Sequence, residues 1–150
     1  MVSSRRRYSD LVRALEHGGH RLTPQREAVL RVLADTGRHF SAEQIYDEAR
    51  QRCRSTSRAT VYNTVTMLER LGEVEHLEFA GLGHRYAARG PGLHAHLVCT
   101  RCSRIEDFHD PELRTVLAAT AVASGYRNTL CRLDLYGECP ACQGQEDRSE

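Results

Sequence analysis

Residues 93–108 read LHAHLVCTRCSRIEDF. Within this short stretch lie two histidines, two cysteines, a glutamate and an aspartate. Imidazole, thiolate and carboxylate are the protein's ligands for divalent transition metals. The stretch could form one metal site, two metal sites, or a redox-active cysteine pair.

The cysteines extend beyond it. Cys99-x-x-Cys102 is followed, 36 residues on, by Cys139-x-x-Cys142. Two such turns present four thiolates to a tetrahedral ion, and a closed four-sulfur site is structural because no coordination position stays open. The intervening length fits a strand, a helix and a returning strand, with the metal stapling their far ends. A thioredoxin-like dithiol would need a βαβ context that is missing around Cys99. A zinc deaminase would need a His-x-Glu triplet and a Pro before the second Cys pair; here the triplet is His94-Ala95-His96 and Cys139 follows Glu138. Cys131 falls in an alternating segment and reads as a small buried apolar residue.

His94 and His96 project to the same face if their segment is extended. Asp107, on a return strand, can come back to them. Two imidazoles and a carboxylate suit Fe(II), Mn(II), Zn(II) or Ni(II). The alternative is a plain pair of surface histidines.

These groups need elements to position them. Leu11, Val12 and Leu15 are spaced for a helix over 8–17, ended by GGH. A second helix starts at Pro24 with Thr23 as cap, and a third follows the Ser41/Gln44 capping box. Ser57 caps a fourth, whose stripe is Val61, Val65, Leu68 and Leu71 and whose end is Gly72. EVEHLEF and HRYAA alternate around AGLG, as in a β-hairpin. Helices followed by a hairpin describe a winged helix-turn-helix. ARGPG reads as a hinge. Beyond it, HAHLVCT and RIEDF read as strands around the Cys turn, Pro111 to Ser124 as a helix, and YRNTLCRLDLYGEC as a long strand. The expected organisation is α+β: a DNA-binding domain over 1–88, a hinge at 89–92, a metal-binding domain over 93–142 and a disordered tail at 143–150.

Charge is split along the chain. Residues 1–90 carry 15 arginines against 11 acidic residues; residues 91–150 carry 6 against 9, and there is no lysine. The basic first part is compatible with nucleic acid. No apolar run approaches the ~20 residues of a membrane span. The N-terminal MVSSRRRYSD has no apolar signal core, so the expected location is cytoplasmic. In a reducing compartment, metal ligation is the expected use of six cysteines.

Taken together, RLTPQREAVL (21–30), HFSAEQIYDEA (39–49), SRATVYNTVTMLERLGEV (57–74), HAHLVCTRCSRIEDF (94–108) and LYGECPAC (135–142) resemble the ferric uptake regulator (Fur) family of metal-responsive repressors. The resemblance implies a winged-helix domain, a hinge, and an α/β dimerisation domain, in a homodimer that binds a palindromic double-stranded DNA operator. It assigns Cys99, Cys102, Cys139 and Cys142 to structural Zn(II). It assigns His39, His94, His96 and Asp107 to a regulatory metal, Fe(II) or Mn(II), with Zn(II) as the alternative. The family often has a carboxylate after the aromatic residue of the second wing strand; Ala87 stands there, and His84 or Glu78 could compensate. Other family ligand positions are occupied by Leu93, Ala95 and Cys131. An aspartate at position 107 resembles the peroxide-sensing branch, in which iron oxidises a ligand histidine.

The fourth helix would read DNA. Its early side chains would enter the major groove, with Arg58 and Asn63 bonding bases, Tyr62 on a thymine methyl, and Thr60 and Arg26 on phosphates. The expected protein is therefore a repressor of metal-homeostasis or peroxide-stress genes, with no small-molecule substrate and no membrane partner. The rival from another class is a zinc-dependent enzyme built on His94, His96 and Asp107, which lacks a general base with its orienting partner.

Overall fold

Thr23 Oγ1 accepts from the Arg26 backbone N–H and Pro24 takes the first helical position. Caps of this kind set the element boundaries along the chain. The computed structural model describes residues 4–35, 37–90, 92–127 and 131–144. They fall into two compact units, Met1–Gly90 and Pro91–Glu150.

The first unit contains α1 (Ser4–His17), α2 (Pro24–Leu33), α3 (Ala42–Arg52), α4 (Arg58–Arg70), β1 (Val74–Phe79) and β2 (Gly83–Ala88). Helix α1 begins four residues earlier than expected: the arginine run at 5–7 has good helix propensity, and Arg7 is buried. The reciprocal Ser41/Gln44 capping box forms at α3, and Ser57 caps α4 through the Thr60 N–H. Leu11, Leu15, Val29, Leu33, Ile45, Val61 and Leu68 are fully or almost fully buried and meet in one core. That core gathers the apolar stripes of all four helices, which is what fixes α4 against α2 and α3. The hairpin β1–β2 is antiparallel, with Glu75 opposite Ala87 and His76 opposite Tyr86. Phe40 extends it, exchanging backbone bonds of 2.8 and 2.7 Å with Tyr86. This is a winged helix-turn-helix.

The second unit contains β3 (Ala95–Cys99), β4 (Ile105–Phe108), α5 (Pro111–Ser124), β5 (Leu133–Gly137) and α6 (Pro140–Gln143). Its sheet has the order β4-β3-β5, with β3 antiparallel to β4 and parallel to β5. The parallel pair requires a crossover, which α5 supplies. Asp110 caps α5 and Gly125 ends it in the left-handed conformation.

Here some expectations need correction. The long final strand is only Leu133–Gly137, because just these residues pair with β3; residues 128–130 of the expected span lie outside those described. Cys131 precedes the strand and is exposed, not buried. The start of the expected tail, Gln143, belongs to α6, and residues 145–150 lie outside those described. Among the described residues, no helix is long and apolar enough to cross a membrane.

Candidate metal centres and nucleic-acid interface

The end of β3 turns sharply at Cys99. Ser103 adopts φ 63° there, and its N–H bonds the Cys99 carbonyl at 3.0 Å. This turn folds Cys102 back beneath Cys99. Register between β3 and β5 sets Cys99 beside Gly137, which brings Cys139 and Cys142 to the same place. Cys99 Sγ lies 3.8 Å from Cys142 Sγ, and Cys102 Sγ lies 3.8 Å from Cys139 Sγ. All four sulfurs fall within 4.8 Å of one another. Sulfurs bound to one tetrahedral zinc at about 2.3 Å lie about 3.8 Å apart, so the donors fit Zn(II).

Their protonation supports the same fit. Backbone N–H groups of Cys102 and Cys139 donate to Cys99 Sγ and bring its thiol down to about 6. Cys142 is pushed up to about 12 by the hydrogen bond with Cys139 and by burial. Four thiolate charges this close together repel one another, and a divalent ion among them would offset that repulsion. Zinc bound here by Cys99, Cys102, Cys139 and Cys142 would be a closed structural staple.

The histidines form a separate donor set on the sheet. His96 and Asp107 are direct cross-strand partners on β3 and β4. The His94 and His96 rings meet edge-on, with centroids 4.9 Å apart. His94 Nε2 lies 3.8 Å from Asp107 Oδ1, beyond hydrogen-bond reach. Both Nδ1 atoms face protein oxygens: His94 faces the Gly92 carbonyl at 3.3 Å and His96 faces Asp134 Oδ1 at 2.9 Å. A ring bonded through Nδ1 offers Nε2 as the ligand atom, the arrangement that carboxylate–histidine–metal sites use. His96 is only 4% exposed.

Two residues of this neighbourhood were not apparent from the sequence. Asp134 sits across from His96 on the other side of β3. Burial raises its carboxyl, but hydrogen bonds from Arg132 and His96 outweigh that and hold it below the usual carboxylate range. Its position depends on the β3–β5 register, which local patterns do not contain. His109 stacks obliquely near His94, ring centroids 5.1 Å apart.

His39 belongs to the first unit. It precedes Phe40 and packs edge-on against Phe79, ring centroids 5.8 Å apart. Ala87 is buried on β2. Since faces alternate along a strand, Glu75, Ala87 and Phe79 share one face of the hairpin, while His76, Glu78, His84 and Tyr86 share the other. His84 and Glu78 therefore lie on the hairpin face opposite position 87. The carboxylate on the Ala87 face is Glu75, directly across the hairpin.

On the expected DNA-reading helix, Tyr62 is 63% exposed and Asn63 is exposed. Arg58 is engaged within its own unit: its Nε bonds Glu43 at 3.2 Å and its guanidinium lies over the Tyr46 ring at 4.2 Å. Thr60 is partly occupied by the helix cap, its hydroxyl 2.9 Å from Ser57 Oγ. Arg26 bonds the Arg21 carbonyl at 2.7 Å.

A winged helix followed by a small α/β unit with a four-thiolate site and a separate imidazole–carboxylate set defines a class of metal-binding regulators. The chain belongs to the ferric uptake regulator family, which it matches over residues 17–136. It is 36% identical to the ferric uptake regulation protein of Synechococcus elongatus over 132 residues, 86% of this chain and 90% of that one. It is 32% identical to the peroxide operon regulator of Bacillus subtilis over 138 residues, 92% of this chain and 94% of that one. Among solved structures, the ferric uptake regulator of Helicobacter pylori superposes with a TM-score of 0.77 at 27% identity, covering 95% of each chain.

Proposed function

We propose that this chain is a cytoplasmic, dimeric, metal-dependent repressor that binds a palindromic DNA operator controlling metal-homeostasis or peroxide-stress genes. The observation that carries the reading is the presence of two chemically different donor sets in one small unit. The closed thiolate set suits permanent zinc. The histidine–aspartate set, with both Nδ1 atoms facing protein oxygens, suits an exchangeable Fe(II) or Mn(II).

His39 joins His94, His96 and Asp107 as the ligand from the DNA-binding unit, on the family resemblance. Glu75 supplies the carboxylate that position 87 lacks, as its hairpin register supports. An ion bound by groups from both units favours the one arrangement in which they converge. In a dimer that arrangement can set two α4 helices one DNA turn apart. On the family resemblance the hinge is residues 89–92, of which 91 lies outside those described. Arg26, Arg58, Thr60, Tyr62 and Asn63 make the DNA contacts, and the second unit supplies the dimer contact through α5 and β5. Val116, Val122, Tyr126 and Leu135 are large apolar side chains exposed there.

The test is titration of operator binding, metal by metal, on protein that keeps its thiolate-bound zinc. Affinity rising with Fe(II) or Mn(II) supports the proposal. A response to zinc alone assigns the chain to zinc sensing, and metal-independent binding removes the regulatory site. For peroxide sensing, the iron-loaded protein is exposed to peroxide and digested; no mass gain on His39 or His94 removes that branch.

A further inference from the structure

The hairpin face opposite Glu75 and Ala87 holds a second pair of histidines that the regulatory reading does not use. His76 on β1 and His84 on β2 bring Nε2 and Nδ1 to 3.1 Å from each other. Their ring centroids are 4.9 Å apart. Tyr86, opposite His76, stacks on that ring at 4.5 Å with planes inclined by 23°. From the end of α4, Glu69 approaches the other nitrogen of His76, Oε1 to Nδ1 at 3.6 Å. Glu78 is the direct cross-strand partner of His84 on this same face.

We propose that His76 and His84 form a metal site on the wing for a borderline divalent cation such as Zn(II), with Glu69 positioning His76 from the end of α4. Nitrogens bound to one ion at about 2.0–2.1 Å lie about 3.0–3.4 Å apart. The pair already has that spacing. In the metal-free protein the two nitrogens share one proton as a hydrogen bond; on binding, that proton passes through solvent to Nε2 of His84, and the cation lies to one side of the N–N line within bonding distance of both freed lone pairs. Tyr86 stacking holds the His76 plane. Glu69, 3.6 Å from Nδ1 and so outside hydrogen-bond reach, acts through its charge: it favours a proton on Nδ1 and leaves the Nε2 lone pair on the His84 side. Glu78 is placed by register to add an oxygen, and solvent completes the shell. Imidazole with carboxylate suits zinc, nickel and copper more than calcium or magnesium.

The site ties two parts of the DNA-binding unit. Its histidines lie on the hairpin, and its positioning carboxylate lies in the last turn of α4. A bound ion would stiffen the wing against the helix expected to read DNA.

The experiment uses the full-length protein with its thiolate zinc retained and with His94→Ala and His96→Ala removing the regulatory ligands. This background separates failure of the wing site from failure of the regulatory reading. Zinc is added by equilibrium dialysis and metal per chain is counted. The expected result is one equivalent beyond the thiolate-bound ion, lost when His76→Ala and His84→Ala are added. Glu69→Gln, which removes the charge near Nδ1, weakens that equivalent by a smaller factor, about 2- to 5-fold. Far-UV circular dichroism verifies folding, and His84→Gln repeats the count with a side chain of similar polarity. An unchanged metal count in folded variants lacking both wing histidines overturns the site, leaving a plain hydrogen-bonded pair.

Discussion

His96 Nδ1 and Asp134 Oδ1 lie 2.9 Å apart across neighbouring parallel strands, and Arg132 closes on the same carboxylate at 2.7 Å. This link decides which imidazole nitrogen remains for a ligand. Asp134→Ala should lower affinity for the regulatory ion about 10- to 100-fold, the usual range for such a partner. Thiolate-bound zinc should remain at full occupancy. Asp134→Asn keeps an acceptor oxygen and should retain more affinity than alanine. Equal affinity in all three proteins, measured by metal titration, would reduce Asp134 to a structural ion-pair partner.

The Glu75–Ala87 pairing leads to an exchange experiment. Glu75→Ala should weaken regulatory-metal binding about 10-fold or more, as loss of one carboxylate donor. Adding Ala87→Asp to that variant returns a carboxylate to the same face from the opposite strand and should recover much of the loss. If Glu75→Ala leaves metal-dependent operator binding untouched, Glu75 is not a ligand.

Removing a thiolate should act differently. Cys142→Ser should abolish tight zinc binding and unfold the sheet end formed by β3, β5 and α6, since structural zinc contributes folding free energy directly. Zinc analysis and hydrogen exchange on residues 95–99 and 133–137 would report both effects. Retention of zinc with unchanged protection would exclude a four-sulfur staple.

Tyr62 touches solvent over most of its surface, so its loss should hardly alter stability, within about 0.5 kcal/mol. Tyr62→Ala should nevertheless weaken operator binding about 10-fold, the scale of one lost base contact, with metal content unchanged. Fluorescence anisotropy on an operator duplex measures this directly.

Arg58 gives the opposite sign. Glu43 and Tyr46 hold it within its own unit. Glu43→Gln should free the guanidinium and remove a repelling charge near DNA, so operator affinity should rise and its salt dependence should steepen. A decrease would indicate that Glu43 orients Arg58 for contact instead.

Much of the fold was legible because caps and periodicity are local signals. Thr23-Pro24, Ser41 with Gln44, Ser57 and Pro111 each mark a helix start within a few residues of sequence. The four-cysteine set was equally legible, since its ligand spacing is a property of two short turns. What escaped depends on pairing between distant segments. Asp134 acquires its role from the β3–β5 register, and Glu75 acquires its face from the β1–β2 register. One residue of slip would exchange both faces of a hairpin. His84 and Glu78 share a face with each other and not with position 87, which only the pairing of the two strands reveals. Cys131 is exposed: the alternating pattern runs on in sequence ahead of Leu133, where pairing with β3 begins.

Helix α5 buries none of its residues within its own chain, and Val122 on it is 83% exposed. If a second copy covers this helix, much of the cohesion of the unit comes from association, not from the single chain. Its stability then follows mass action: dilution loosens the fold as well as the dimer. A repressor built in this way is sensitive to its own abundance. At low copy number the fraction able to bind DNA falls even when metal is plentiful, so synthesis rate and metal supply become joint inputs to repression.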